Sequence, residues 1–367
     1  MADPRVTRRE FVRQGTLAAA GLAAGVHAAT TSAAQDDQKK ILNHNPNMEY
    51  RPLGKTGLMV SAVCLGGHWK RVDKQVRLTQ TSGPGWMGSS LDDPAFQKNR
   101  HEVVSRCIEV GINYVDACSG AEVLAYSKAL QGRRDRMYFG YSWYEYEMRF
   151  KPWRESLEKM MEGLESGLRQ AGLEYVDFWR ISMEVDTGRN QTAKEVDIAM
   201  EALRRAKKQG KARVVGVSSH DRQWLQQAIE TYTDVMEAVC TPYTARTKEL
   251  PADSLFETVR KHRVGVFGIK PFASNSLFKG DSSPDSPHAE ADDQLARLTI
   301  RRILRNTAVT APIPGLVSLH QVDNVAKAVT EPRNLDADET ARLDRAMGEA
   351  WARLPDDYQW LKRWDYV

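Results

Sequence analysis

The sequence predicts an α/β protein, and specifically a (β/α)8, or TIM, barrel. Apolar runs of strand length alternate about eight times with helical patterns along the 367 residues. One run, Gly111-Ile-Asn-Tyr-Val-Asp116, ends in a carboxylate followed by small residues, as expected of a buried strand that delivers Asp116 to the carboxyl edge of a barrel. No Gly-x-Gly-x-x-Gly directly follows a predicted strand, so an open dinucleotide-binding sheet is not indicated.

The elements follow in order after residues 50–57, whose two glycines around a turn are typical of a small hairpin. Strands are predicted at residues 60–67, 112–116, 136–142, 175–182, 213–218, 236–240, 264–269 and 309–313. Helices are predicted at residues 100–110, 122–130, 156–170, 193–209, 221–230, 253–262, 292–305 and 317–329. The helix at 156–170 shows the clearest amphipathic face, and Gly210 stops the helix at 193–209.

The barrel is expected to occupy residues 49–335. A linker at 36–48 precedes it, and an insertion without periodicity at 69–97 should lie over the barrel mouth, where irregular loops usually bind ligands. Residues 336–367 are predicted to form a C-terminal helix followed by an extended aromatic arm.

Residues 1–35 are expected to be a targeting segment. Arg8 and Arg9, followed by Phe11, Arg13 and a short Ala/Gly-rich apolar run, resemble a twin-arginine export signal. The alternative is a disordered Ala-rich tail. This segment predicts interaction with the twin-arginine export machinery and a periplasmic or otherwise exported protein. The apolar run is too short to span a bilayer stably, so no membrane insertion is expected.

Charge and cysteine content narrow the possible partners. The whole chain carries +4, and residues 1–35 account for +2 of it. So small a net charge leaves no electrostatic footprint for nucleic acid. The four cysteines are scattered without a Cys-x-x-Cys, and we expect core thiols rather than a disulfide framework.

Several strand ends carry groups capable of chemistry. These groups are His68, Cys118, Glu184, Asp186, His220 and Asp221. Asp221 is a natural N-cap for the helix after it, and for each of the others a capping or loop role is the simpler explanation. Together, His68, Asp116, Glu184 and His220 could converge at the mouth for acid–base work or metal binding. Cys118 could be a nucleophile, but nothing nearby in the sequence activates it.

Aromatic residues are concentrated in the loop at 143–153. With Trp69 and Trp86 from the insertion, they could line a cleft for a sugar-like or aromatic ligand. Equally, they could anchor the loops as a small satellite core.

Four motifs in order resemble the aldo/keto reductase family over residues 49–330. They are Tyr50-Arg-Pro-Leu-Gly-Lys-Thr-Gly-Leu, Gly111-Ile-Asn-Tyr-Val-Asp116, Gly216-Val-Ser-Ser219, and Ile313-Pro-Gly315 with Asn324. The resemblance implies a (β/α)8 barrel that holds NADP(H) or NAD(H) across its mouth and passes a hydride to a small-molecule carbonyl.

The resemblance also implies four catalytic roles, because an alkoxide formed by hydride transfer needs a proton donor. Asp116 matches the family's aspartate. The tyrosine expected about five residues later is missing, and Ser142 and Ser182 stand where a lysine and a histidine are expected. Tyr126 and Tyr141 are poor substitutes at their predicted positions, and Glu184 or His220 is the better candidate donor.

The residues at the cofactor-binding positions match the family pattern better than those at the catalytic positions. It implies that Ser218 and Ser219 contact the nicotinamide, that Lys270, Pro271 and Phe272 lie at the pyrophosphate, and that Gly315, Ser318 and Asn324 form the adenosine-phosphate turn. That turn lacks an arginine, which leaves the choice between NADP and NAD open.

Three functions follow from these observations. The first is an exported oxidoreductase of aldo/keto reductase type with a rebuilt proton-transfer site. The second is a non-redox barrel enzyme, a lyase or isomerase with or without a metal. The third is a catalytically silent protein that binds a cofactor or carbohydrate.

Overall fold

The computed structural model describes residues 41–76, 78, 91–183 and 191–367. The predicted export signal, Trp86, Glu184 and Asp186 lie outside these residues, and the predictions made for them stay predictions. Within the described part of the chain, no helix has both the length and the apolar character needed to cross a membrane.

Seven parallel strands form a curled sheet in which each strand pairs with the next along the chain. They are β3 (Tyr114–Ala117), β4 (Tyr138–Tyr141), β5 (Val176–Ser182), β6 (Ala212–Ser218), β7 (Ala238–Pro242), β8 (Gly265–Ile269) and β9 (Ala311–Pro312), after the hairpin strands β1 (Tyr50–Pro52) and β2 (Met59–Ser61). Leu65 bridges Val115 and Gly66 bridges Gly315, so residues 65–66 close the ring between β3 and β9. The predicted α/β barrel is therefore confirmed.

The predicted first strand at 60–67 is wrong as a single element. Residues 59–61 pair antiparallel with β1, with Tyr50 opposite Ser61, and form the predicted hairpin. The chain then turns, because the Ser61 hydroxyl donates to the Val63 carbonyl at 2.7 Å. Only after that turn do residues 64–66 enter the barrel.

Nine α-helices are described around the barrel. They are α1 (Pro94–Glu109), α2 (Gly120–Ala129), α3 (Leu157–Ala171), α4 (Ala193–Lys208), α5 (Arg222–Thr231), α6 (Leu255–His262), α7 (Ala289–Ile303), α8 (Leu319–Thr330) and α9 (Ala337–Ala352). Side-chain N-caps start most of them, and Asp221 caps α5 as predicted, accepting from the Trp224 N–H.

Apolar side chains form two cores, one inside the barrel and one between barrel and helices. Inside, Tyr114 and Phe267 stack with their ring centroids 4.3 Å apart, and Phe178 packs against Phe267. This aromatic layer fills the barrel below Asp116, so the carboxyl edge of the sheet is left as the place for a ligand.

The C-terminal tail corrects another prediction. Residues Asp356–Trp364 form 3₁₀ turns rather than an extended arm. Leu361 and Trp364, three residues apart and therefore on one face of such turns, are buried. The Trp364 Nε1–H donates to the His220 carbonyl at 3.0 Å, which holds the tail against the loop after β6.

Candidate active site

A cavity of about 1550 Å³ opens at the carboxyl ends of the strands. It exceeds the roughly 300–1,000 Å³ usual for small-molecule sites. Strand-end residues form its floor, the loop after β8 and the start of α8 form one wall, and the C-terminal tail contributes another. The cavity therefore has room for a ligand of dinucleotide size.

The floor of the cavity holds a buried ion pair. Arg180, on β5, donates from Nε and Nη2 to the two oxygens of Asp116, at 2.9 and 2.6 Å. Tyr114 adds a third hydrogen bond to Asp116 at 3.2 Å. Burial opposes the charge on Arg180, but the Asp116 carboxylate outweighs it and raises the pKa of the guanidinium. Asp116 therefore has an arginine as its cationic partner.

Gly140 makes this arrangement possible. A Cβ on Gly140 would lie 1.9 Å from the Tyr114 hydroxyl and 2.9 Å from Asp116 Oδ1. Gly140 pairs with Asp116 across β3 and β4, so any larger residue there would displace the phenol from the carboxylate.

The two serines at the positions that lack the expected lysine and histidine share one carboxylate. Ser142 donates its hydroxyl to Glu147 at 2.7 Å, and the Ser182 N–H donates to the same oxygen at 2.9 Å. The Trp179 indole donates to the other oxygen. Burial raises the pKa of Glu147 in spite of these donors. Glu147 thus ties the ends of β4 and β5 together.

A second cluster lies beside the ion pair. The His68 Nδ1 is 2.9 Å from Glu122, and the Cys118 sulfur is 3.7 Å from the same nitrogen. The Glu122 carboxylate also accepts from the backbone N–H groups of His68 and Cys118, both at 2.6 Å. A Cβ on Gly67 would lie 2.2 Å from this carboxylate, so a glycine is required there.

Opposing effects set the protonation of this cluster. Burial disfavours ionisation of Glu122, but the His68 ring and the Cys118 N–H outweigh it and lower the pKa of Glu122 to about 2. The first turn of α2 also favours a carboxylate. Burial lowers the pKa of His68. The charges of Lys270 and Lys70 lower it further, whereas the Glu122 carboxylate opposes this change. Burial raises the pKa of Cys118, so its thiol is protonated.

The same three side chains are the only His, Cys, Asp or Glu group of the described residues whose ligand atoms lie close enough to hold a metal ion. Nitrogen, sulfur and oxygen donors suit zinc. Two lysines, Lys70 and Lys270, line the same cavity. Their charges repel a divalent cation and favour an anionic ligand.

The C-terminal tail reaches into the cavity through two aromatic side chains. Trp360 stacks on His220 with ring centroids 3.9 Å apart. Tyr358 accepts a hydrogen bond from Lys70 at 3.1 Å, and Lys70 also donates to Ser274 at 2.7 Å. Three segments that are distant in sequence therefore meet over the cavity.

Seven of the eight residues predicted to bind a cofactor line the cavity: Ser218, Lys270, Pro271, Phe272, Gly315, Ser318 and Asn324. Ser219 is the exception, being buried with its hydroxyl accepting from the Asp221 N–H. Asn324 accepts from Arg297 at 2.6 Å. Arg297, from α7, therefore lies beside the predicted turn, where it is also paired with Glu331 at 3.1 Å.

Of the residues predicted for catalysis, Asp116, His68 and His220 line the cavity, and Glu184 lies outside the described residues. Asp116 and His68 belong to separate hydrogen-bonded groups, the first with Arg180 and the second with Glu122. A convergent metal site built from Asp116, His68 and His220 is therefore not formed.

Of the two roles predicted for the aromatic residues, the structure supports anchoring of the loops for Trp69 and Trp143. Trp69 is fully buried and packs edge-on against Phe96 and Tyr126, so it anchors the loop. Trp143, also buried, stacks on Tyr146 with nearly parallel rings. From the loop at 143–153, the cavity is lined by Tyr144 and Arg149.

Neither Tyr126 nor Tyr141 can replace the missing donor. Both are buried away from the cavity, and burial raises the pKa of each. Tyr126 donates to the Gly66 carbonyl at 2.6 Å, so its hydroxyl helps to hold the segment that closes the barrel.

Sequence reasoning missed Arg180, Lys70, Tyr358 and Arg297. Arg180 could have been found, because side chains two apart on a strand share a face and Arg180 precedes Ser182 by two. The others come from the insertion, the tail and a helix, and no local pattern in the sequence points them toward the mouth.

Known proteins agree with this architecture. An aldo-keto reductase from Bacillus halodurans, AKR11C1 in its holo form, is 20% identical, covering 82% of this chain and 96% of that one, with a TM-score of 0.56. An aldo-keto reductase from Klebsiella pneumoniae in complex with NADPH is 19% identical over 81% and 94% of the two chains, with a TM-score of 0.58. The same kind of enzyme from that organism with NADP and acetate is 18% identical over 80% and 94%, with a TM-score of 0.56.

The sequence pattern of the Aldo/keto reductase family matches residues 85–347, well over half of the chain. Together with the closed ring of parallel strands and the cavity at its carboxyl edge, this match establishes the relationship. The chain belongs to the aldo/keto reductase family.

Proposed function

We propose that this protein binds NADP(H) or NAD(H) in the mouth cavity and transfers a hydride between the nucleotide and a small carbonyl compound. The observation that carries the proposal is the lining of one large cavity by a strand-end serine, Ser218, a lysine, Lys270, and the start of α8. Solved relatives are described with NADPH or NADP, which supports the same ligand class.

The residues present fit such a nucleotide. Lys270 can pair with a phosphate, and the N-terminus of α8 behind Ser318 favours an anion through its unpaired N–H groups. Backbone strain also concentrates here, since Lys270 and Ala273–Asn275 have positive φ angles, and such strain clusters at ligand sites. Ser218 would hold the nicotinamide end. The bound nucleotide supplies the hydride.

The chain's own residues would orient the substrate and exclude water. The Asp116–Arg180 pair is already neutralised, so the floor below the reacting carbonyl carries no free carboxylate. His220, stacked under Trp360, would close the cavity beside Ser218. Excluding water from such a site strengthens the remaining hydrogen bonds to the substrate.

A non-redox, metal-assisted enzyme is the second candidate, and the His68–Cys118–Glu122 donor set favours it. The positive charges of Lys70 and Lys270, which act on His68, argue against it. The third candidate, a catalytically silent protein, would bind the nucleotide without converting a substrate.

Fluorescence titration with NADPH and NADH, followed by a carbonyl-reduction assay, separates the three. We expect saturable binding and nucleotide-dependent reduction of some carbonyl. Binding without turnover on a broad carbonyl panel would indicate the silent protein. Absence of nucleotide binding, with one metal per chain in elemental analysis, would indicate the metal-assisted enzyme.

We also propose that the protein is exported, on the basis of Arg8, Arg9 and Phe11. Fusing residues 1–35 to a reporter that is active only after export tests this. Export that is lost when both arginines become lysine is the expected result, and export that persists would contradict a twin-arginine route.

A further inference from the structure

Tyr358 is held in the cavity by a well-anchored tail. Trp360, two residues later, stacks on His220, and Trp364 is buried with its indole bonded to the His220 carbonyl. The last residue, Val367, exchanges backbone hydrogen bonds with Lys248 and Leu250. The Tyr358 phenol is therefore a fixed part of the cavity wall, because these contacts hold the backbone of the tail in place.

Two ammonium groups flank the Tyr358 ring. The Lys70 Nζ donates to the phenol oxygen at 3.1 Å and lies 4.6 Å from the ring centroid. The Lys270 Nζ lies 5.6 Å from the same centroid. The two lysines come from the loops after residue 66 and after β8, so phenol and cations converge from three parts of the chain.

This environment affects Tyr358 differently from the other tyrosine of the cavity. Burial on its own would raise the pKa of Tyr358, but Lys270, the Ser274 hydroxyl and Lys70 outweigh it and lower the pKa below its ordinary value. Burial raises the pKa of Tyr144, in the same cavity, to about 12. Five carboxylates of the tail and of α7 also line the cavity: Asp356, Asp357, Glu290, Asp292 and Asp293.

We propose that Tyr358 is the general acid of this active site and that Lys70, which donates a hydrogen bond to its hydroxyl, stabilises its phenolate. The inference rests on the proposed function. As hydride reaches the carbonyl carbon, the C=O π pair moves to oxygen, which takes the phenol proton. The carbonyl is reduced to an alcohol and the nucleotide is oxidised. The phenolate, held by the Lys70 ammonium, regains its proton from water.

The same tail explains how a barrel lacking the usual tyrosine could still protonate its product. Ser142 and Ser182 stand where a lysine and a histidine are expected, and their hydrogen bonds to Glu147 occupy that carboxylate. Tyr358 enters the cavity from the C-terminal tail, with Ser274 and Lys70 as its hydrogen-bonding neighbours.

Tyrosinate absorbance during a pH titration of the full chain tests the ionisation without any nucleotide. We expect one tyrosine to ionise below the others in the wild type. That step should vanish in Tyr358→Phe, move upward in Lys70→Met, and remain in Tyr366→Phe, a matched change at an exposed tyrosine of the same tail. A wild type without the early step, or a step that survives in Tyr358→Phe, overturns the inference.

Kinetics provide the second test. With nucleotide affinity unchanged, Tyr358→Phe should lower kcat for carbonyl reduction by about 10²–10⁴-fold, as expected for loss of a general acid. Tyr366→Phe should leave kcat unchanged. Equal kcat in Tyr358→Phe and wild type refutes the role of Tyr358, whereas loss of nucleotide binding in the wild type refutes the proposed function itself. Circular dichroism of each variant checks that it folds.

Discussion

Inside the barrel, Arg180 on β5 donates two hydrogen bonds, of 2.9 and 2.6 Å, to the carboxylate of Asp116 on β3. Both side chains are almost inaccessible, at 3% and 5% exposure. A charge-assisted bidentate pair of this kind fixes the geometry of both side chains. In this chain Asp116 is therefore a structural anchor of the cavity floor.

Replacing Asp116 by asparagine should be strongly destabilising, because it leaves the Arg180 charge buried without a counter-ion. We expect a loss of about 3–5 kcal/mol in the free energy of unfolding, measured by urea denaturation. The control is Asp234→Asn, which breaks the exposed Arg204–Asp234 pair and should cost no more than about 1 kcal/mol. Similar losses in the two variants would contradict the account.

Gly140→Ala should also destabilise the barrel, since its Cβ would overlap the Tyr114 hydroxyl. Overpacking of this kind costs about 1–3 kcal/mol. Gly348→Ala is the matched control: no atom lies within 4 Å of its added Cβ, and alanine in the middle of α9 should stabilise by about 0.5–1 kcal/mol. Thermal denaturation should show shifts of opposite sign, and shifts of equal sign would be inconsistent with this packing.

The lowered pKa of Glu122 predicts that the folded protein loses stability in acid. Its folded-state pKa of about 2 lies below the ordinary value of 4.5, so its stabilisation is complete above about pH 5 and is lost as the pH falls toward 2. The difference corresponds to roughly 3 kcal/mol. Urea denaturation at several pH values should show a shallower decline in Glu122→Gln than in the wild type across that window. Parallel declines would show that Glu122 titrates normally.

Lys270→Met should weaken binding of NADPH by about 10- to 100-fold, since the ammonium is removed and the apolar stem is kept. The effect should shrink as salt is added, because screening weakens the wild type more. Lys261→Met, which alters an exposed lysine paired with Glu230, should leave affinity unchanged. Calorimetric titration supplies the dissociation constants, and equal affinities for wild type and Lys270→Met would place the phosphates elsewhere.

The barrel was predictable because its strands and helices have strong, separate periodicities. Buried strands such as residues 213–218 read as continuous apolar runs, and α3 shows a clear apolar face. The prediction of a single strand at 60–67 was wrong because a hairpin strand and a barrel strand follow one another there, with only a turn at 62–63 between them. The prediction of an extended arm in the tail was wrong because the spacing of its aromatic residues fits both an extended segment and 3₁₀ turns.

The candidate site was predictable only where it lies at strand ends. Asp116, Ser218 and Lys270 follow directly from the strand pattern and the family resemblance. Arg180 was hidden within an apolar strand, and its partner is a carboxylate 64 residues earlier in the chain. Tyr358 enters through tertiary packing of the tail, which depends on the whole fold rather than on any local signal.

The crystal structure of the protein with NADP⁺ bound tests the central claim most directly. We expect electron density for the nucleotide along the cavity, with its nicotinamide against Ser218 and its phosphates between Lys270 and the start of α8. Density at another site, or an empty cavity at a nucleotide concentration that saturates binding in solution, would contradict it.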